Sequence, residues 1–371
     1  MSHWIASNDE LNNLCDQLAD CEILALDTEF IRTDTYYPKL ALIQLSDGID
    51  CWLIDVLAID QFSSLKQLIE SPNNRVIFHA CGEDLEVLEH SLNIQPTGIF
   101  DTQIAAGIAN VGFSMGYARL VGTLLDIELD KQETRSNWLA RPLTQRQIDY
   151  ATVDVIHLHT IFGMLTKLLD QQGRVTWFDE EMKSLLDLVT QRKSNQNFFA
   201  KFKGVWRLSA QSLIALKSLC LWRESTAKSK NVPKSRIAKD SVLLEIARQM
   251  PKHISQLYSI SDWHPRAVKR YGEAVLNEVK NSYQQPPIPL EQVPQPLSKT
   301  MTQVFKSIRQ VLVAVASQQN IPQEFLCNKR ELEAILRSVE NGELVLPNRI
   351  TQGWRQQWVK PVIETELEKL N

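Results

Sequence analysis

Five side chains in this 371-residue sequence have types and spacings that could do chemistry. Asp27 and Glu29 lie two apart within the apolar run Glu22-Ile-Leu-Ala-Leu-Asp-Thr-Glu-Phe-Ile31. A strand has a side-chain period of two, so both carboxylates point to one face. Two like charges on one face repel, and burial aggravates the repulsion. A divalent cation between them would remove the conflict; an open, hydrated face would merely dilute it. Tyr150 and Asp154 lie four apart in a helical stretch and therefore share a face, one turn apart. Ile148, Ala151, Val153, Val155 and Ile156 surround them. An Asp on so apolar a helix needs a partner, and a Tyr–Asp surface pair is the plainer account of these two taken alone. Asp84 follows the turn Cys81-Gly82-Glu83 at a helix start, where N-capping accounts for an acid. Strand ends feeding helix starts gather at one edge of an α/β sheet, where ligand sites form.

The elements that must position these groups are legible as alternating patterns. Residues 22–31, 39–47, 50–56 and 75–80 read as strands, with Asp47-Gly48 as the turn between the second and third. Residues 60–70 and 83–92 read as helices, because Leu65, Leu68 and Ile69, and then Leu85, Leu88 and Leu92, fall on one face. Ile99-Phe100 reads as a short strand before Asp101, which caps a helix reaching about Asn110. Residues 117–126 and 144–168 read as further helices, the second opened by the capping-box spacing of Thr144 and Gln147. The order predicts a sheet with helices packed on its faces. Beyond about residue 175 the pattern is helical throughout.

The rear half repeats itself at a constant offset of 89 residues. Leu216-Lys-Ser-Leu219 matches Phe305-Lys-Ser-Ile308, and Asn231-Val-Pro233 matches Asn320-Ile-Pro322. Leu243, Ile246 and Arg248 match Leu332, Ile335 and Arg337. One register for all three favours duplication. The proline-rich stretch 284–296 separates the copies as a stiff linker. Domains are therefore expected at 1–200, 201–285 and 297–371, with a linker at 286–296.

Charge divides along the same line. Residues 1–200 carry 14 Lys+Arg against 29 Asp+Glu, and residues 201–371 carry 26 against 15, so −15 and +11 make up the net −4. An acidic front half suits a polyanion binder only if some acids hold metal, and a basic rear half suits phosphate contact. The six cysteines form no C-x-x-C pair, which argues against a zinc or redox motif and fits a reducing cytoplasm. No apolar run approaches the ~18 residues of a membrane span, and the first residues lack the pattern of a secretory leader.

Taken in order, Asp27-Thr-Glu29, Asp84 and Tyr150-x-x-x-Asp154 resemble the three motifs of the DEDDy exonucleases. Leu26-Asp-Thr-Glu-Phe30, His79-Ala-Cys-Gly-Glu-Asp-Leu85, Phe100-Asp-Thr-Gln103 and Trp138-Leu-Ala-Arg-Pro-Leu143 are similar to bacterial ribonuclease D, and the duplicated rear resembles HRDC domains. The wider superfamily often has Asn a few residues before the Asp of the second motif. Here His79 stands there, and a packed or hydrogen-bonded histidine is expected rather than a ligand. The resemblance implies a ribonuclease H-like α/β exonuclease domain, a mixed sheet flanked by helices, followed by two all-α HRDC-like domains. It implies a 3′→5′ exoribonuclease that trims transfer RNA precursors and other small structured RNAs, releasing nucleoside 5′-monophosphates with two Mg²⁺ or Mn²⁺ ions. Asp27, Glu29 and Asp154 would hold the ion that activates water, and Asp84 would support the second. Tyr150 would orient the water.

RNA with a free 3′ end is the expected partner, no membrane is expected, and one chain suffices. Lys131, Arg135, Arg141 and Arg146 are candidate backbone contacts, and Tyr36 and Tyr37 are candidates either for base stacking or for ordinary packing. The first helical copy, with Lys217, Arg223, Lys228, Lys230, Lys234, Arg236 and Lys239, is the better RNA grip, and the second is expected to be chiefly structural. A DNA exonuclease with the same site and a binding protein on an inactive nuclease fold are the rival readings. Retention of all four carboxylates and Tyr150 argues against the second. The absence of a G-x-x-x-x-G-K-[ST] phosphate loop excludes a helicase.

Overall fold

The computed structural model describes residues 2–129, 136–194, 198–286, 288 and 293–369. The chain begins with β1 (Ser2–Ile5) and α1 (Asn8–Gln17), then forms β2 (Ile23–Ile31), β3 (Lys39–Ser46) and β4 (Cys51–Ile54). α2 (Ser63–Ile69), β5 (Arg75–Phe78), α3 (Gly82–Leu92), β6 (Ile99–Asp101) and α4 (Thr102–Ile108) follow. α5 (Tyr117–Leu125), α6 (Gln145–Ile156), α7 (Leu158–Gln171) and α8 (Val175–Ser194) complete the front half.

The strands make one mixed sheet in the order β1-β4-β3-β2-β5-β6. β2 pairs antiparallel with β3 and parallel with β5, which places it near the middle of the sheet. Alternation along β2 sorts its side chains. Leu24 and Leu26 join Ile43, Leu45, Val76 and Phe78 in a core under α1, α2 and α3. Ala25 joins Leu42, Leu53 and Ile77 in a second core under α4, α6 and α7. Asp27 and Glu29 share Ala25's parity and so emerge on the α6 side. Thr28 emerges on the α3 side.

Helix α1 and two further elements escape the sequence pattern. β1 is an edge strand with a single buried residue, Ile5, so it shows no apolar alternation. The helix expected over 144–168 is two helices, broken at His157.

The rear half holds two five-helix units. The first comprises α9 (Ala210–Lys230), α10 (Lys234–Ile237), α11 (Asp240–Gln249), α12 (Ile254–Leu257) and α13 (Pro265–Ser282). The second comprises α14 (Lys299–Gln318), α15 (Gln323–Leu326), α16 (Lys329–Glu340), α17 (Asn348–Thr351) and α18 (Gln356–Glu368). The first three helices of each start 89 residues apart, and Asn231 and Asn320 take left-handed φ of 46° and 51° at the matching turns. The register then slips, because α12 and α17 differ in placement.

The units attach to the nuclease domain differently. The first has its own core. It meets the nuclease through the β2–β3 loop, where Asn231 Oδ1 accepts from the Tyr36 and Tyr37 amides at 3.1 and 3.2 Å. The second shares one continuous core with α4–α8. Trp177 of α8 stacks on Trp354 at 4.6 Å, and buried Arg355 pairs with Glu181. Arg174 donates to the carbonyls of Ile108 and Asn320 at 2.7 and 3.0 Å. Gly107 is required at this contact, since a Cβ there would lie 2.5 Å from the Phe325 ring.

Candidate active site

β2 and α6 bring three of the predicted acids together. Carboxylate oxygens of Asp27, Glu29 and Asp154 lie within 4.8 Å of one another. Asp84, buried in the first turn of α3, stands beside this trio and accepts a hydrogen bond from the Thr28 hydroxyl. The position of Asp84 is set from below: Asp101 at the end of β6 accepts from the Cys81 amide at 2.9 Å and caps α4 through the Gln103 amide at 2.8 Å.

Burial pushes all four acids upward, and repulsion by their neighbours in the cluster adds to it at Asp27 and Glu29. Burial, then Asp84, Asp154 and Glu29, hold the Asp27 carboxyl well above the usual range. Burial, then Asp154 and Asp84, raise Glu29 to about 9. Burial raises Asp154 to about 7 against a hydrogen bond from Tyr150, and burial raises Asp84 to about 6 against the one from Thr28. Among the described residues, every charged group acting on Asp27 and Glu29 is an acid. Such a cluster must hold protons or a cation. Its donors are hard oxygens, which suit a hard divalent cation.

Tyr150 lies one turn from Asp154, its ring 6.1 Å from the buried Trp138. Burial first, then Asp154, Glu29 and Asp27, push its phenol above the ordinary tyrosine range. It therefore keeps its proton and acts as a hydrogen-bond donor. His79 is not a ligand: Nδ1 meets the Thr102 hydroxyl at 2.9 Å and Nε2 the Met115 carbonyl at 3.0 Å.

Tyr117 carries no sequence signal that marks it out, yet it braces the site. The His157 amide turns to the Val155 carbonyl, and the Tyr117 hydroxyl donates to the Val153 carbonyl at 2.9 Å. In an unbroken helix that amide would bond to that carbonyl. The phenol occupies the break between α6 and α7, a recognised cause of a helix kink. One residue further on is Asp154.

The expected RNA contacts fare unevenly. Lys131 and Arg135 lie outside the described residues. Arg146 is exposed in the first turn of α6. Arg141 corrects the expectation: its five N–H donors go to Asp55 and to the carbonyls of Ala41, Trp138 and Ala140. Nothing remains for a phosphate, so Arg141 anchors the segment before α6. Arg223 is likewise structural, buried and bound to Ala238 O and Asp240. Lys217 is half-buried on α9, whereas Lys228, Lys230 and Lys234 are exposed. Glu224, which the charge reading passed over, sits 3.8 Å from Lys228 and 3.0 Å from Lys234. It also accepts from the Tyr36 hydroxyl, so Tyr36 packs between units rather than standing open to a base. Tyr37 stacks on His90 at 3.9 Å.

Four clustered carboxylates and a phenol on a mixed α/β sheet define an exonuclease of the acid-cluster type. A family described as 3'-5' exonuclease matches residues 2–170, and the HRDC domain family matches residues 213–279. The sequence is 35% identical over 367 residues to ribonuclease D of Pseudomonas paraeruginosa, covering 98% of this chain and 97% of that one. It is 30% identical over 375 residues to ribonuclease D of Escherichia coli, covering 98% of each. The crystal structure of Escherichia coli RNase D, described as an exoribonuclease involved in structured RNA processing, superposes with a TM-score of 0.85 at 30% identity, over 100% of this chain and 99% of that one. The chain belongs to the ribonuclease D family and is a 3′→5′ exoribonuclease.

Proposed function

We propose that this enzyme trims the 3′ ends of small structured RNAs, transfer RNA precursors among them, by two-metal hydrolysis that releases nucleoside 5′-monophosphates. The observation that carries the reading is the convergence of Asp27, Glu29 and Asp154 within 4.8 Å, with Asp84 beside them. When bound, two divalent cations supply charge opposite the entering and leaving oxygens and lower the pKa of the attacking water. Asp27, Glu29 and Asp154 would hold one ion, and Asp84 would support the other. Tyr150 donates a hydrogen bond that orients the attacking water, because its phenol stays protonated. Lys228, Lys230 and Lys234 lie on the exposed face of the first helical unit and draw in the RNA backbone. The six free cysteines suit a reducing cytoplasm. Among the described residues, no helix is long and apolar enough to cross a membrane.

The test is digestion of 5′-labelled RNA in Mg²⁺ or Mn²⁺, with EDTA, Asp27→Asn and a matched DNA strand as controls. A ladder shortening from the 3′ end, lost with chelator and in the variant and weaker on DNA, is the expected result. Tight RNA binding without cleavage would leave only a binding protein.

A further inference from the structure

Gln44 lies on β3 directly opposite Asp27 of β2. Residues opposite one another in an antiparallel pair project from the same face, with Cβ atoms ~5 Å apart. That face is covered by α6, whose Ala151 and Val155 are fully buried against it. Gln44 is 0% exposed, and neither its amide nitrogen nor its amide oxygen has a hydrogen-bond partner.

A buried polar group left unpaired costs stability. Nothing about packing calls for a polar residue here. On the other side Gln44 faces Leu53 of β4, and the run around it is Leu40-Ala-Leu-Ile-Gln-Leu-Ser46. Ser46, two residues along on the same face, is already engaged with the Asp50 carbonyl and the Gly48 amide. Across the ladder lies the Asp27 carboxylate, a group able to accept from the amide. Groups behind metal ligands commonly fix a ligand's orientation by such a hydrogen bond.

We propose that Gln44 is a positioning residue for the cation site: with a divalent ion on Asp27, the Gln44 side-chain amide donates to the Asp27 carboxylate oxygen turned away from the ion. The inference rests on the two-metal reading of Asp27, Glu29 and Asp154. It accounts for a costly amide under α6, and it makes Gln44 matter to metal affinity and turnover rather than to the fold.

The experiment measures Mn²⁺ binding to full-length protein without RNA, by calorimetry or electron paramagnetic resonance, for wild type, Asp27→Asn and Gln44→Met. Met keeps the length of Gln and removes both polar atoms. Gln44→Met is expected to weaken Mn²⁺ binding about 10- to 100-fold, with a Tm in chelator equal to or above that of wild type. RNA affinity in chelator is expected to be unchanged. Mn²⁺ affinity within twofold of wild type in folded Gln44→Met would overturn the inference while leaving the metal site intact. Unchanged Mn²⁺ binding in Asp27→Asn would overturn the metal reading, and this inference with it. Gln44→Leu repeats the test in a second apolar shape, and loss of fold in both variants would make Gln44 a structural residue and refute its positioning role.

Discussion

At the scale of the residue, the site is a set of acids held against their own repulsion. Each keeps its proton in the folded, cation-free protein to a higher pH than in the unfolded chain, where carboxyls titrate near pH 4. The stability each contributes is therefore complete below about pH 4 and is withdrawn as pH rises through the folded values, about 6 for Asp84, 7 for Asp154 and 9 for Glu29. In chelator, thermal scans between pH 5 and 9 are expected to show wild type losing more stability than Glu29→Gln, and Mg²⁺ to close the gap. Parallel curves for the two proteins would contradict this. Asp27→Asn is expected to reduce turnover by at least about 10³-fold while its Tm in chelator matches or exceeds that of wild type, as for other sites where function is held at a cost in stability. Tyr150→Phe should retain Mn²⁺ binding but slow single-turnover cleavage by about 10-fold or more, because the water-orienting hydroxyl alone is lost.

At the scale of the element, the sequence reading shows both its reach and its limit. Period two in β2 put Asp27 and Glu29 on one face, and period four put Tyr150 with Asp154, because those relations are local. Asp84 was placed correctly at a helix start, but its bond to Thr28 depends on β2 and β5 being neighbours, which no local pattern encodes. β1 was missed because an exposed edge strand needs no alternation. The break at His157 has no local signal, because the Tyr117 hydroxyl that takes the Val153 carbonyl comes 36 residues before that carbonyl. Arg141 was misjudged for a related reason: its partner Asp55 is 86 residues away. Tyr117→Phe is expected to raise the Mg²⁺ concentration needed for half-maximal cleavage and to lower kcat by about 10-fold, with little change in KM for RNA. An unaltered Mg²⁺ dependence would make Tyr117 mere packing.

At the scale of the whole molecule, two similar units are put to different uses. The first keeps a separate core and touches the nuclease through the loop that leaves β2, so the strand bearing Asp27 and Glu29 runs directly into the contact with Asn231 and Glu224. Neutralising Lys228, Lys230 and Lys234 is expected to weaken RNA binding and flatten its salt dependence; Tm is expected to fall as well, because Lys228 and Lys234 pair with buried Glu224. The second unit is built into the nuclease core. Removing residues 297–371 would uncover Trp177, Gly107 and the apolar face of α4, and a poorly soluble, destabilised product is expected in solubility and thermal-unfolding assays.

That shared core bears on how the enzyme is made. The ribosome releases α4 and α8 more than a hundred residues before α14 and α18 exist to cover them. During that interval the nascent nuclease domain carries an uncovered apolar flank, the kind of surface chaperones bind and proteases exploit. A message cut short after Asp154 would yield all four carboxylates, and a short-lived product is expected.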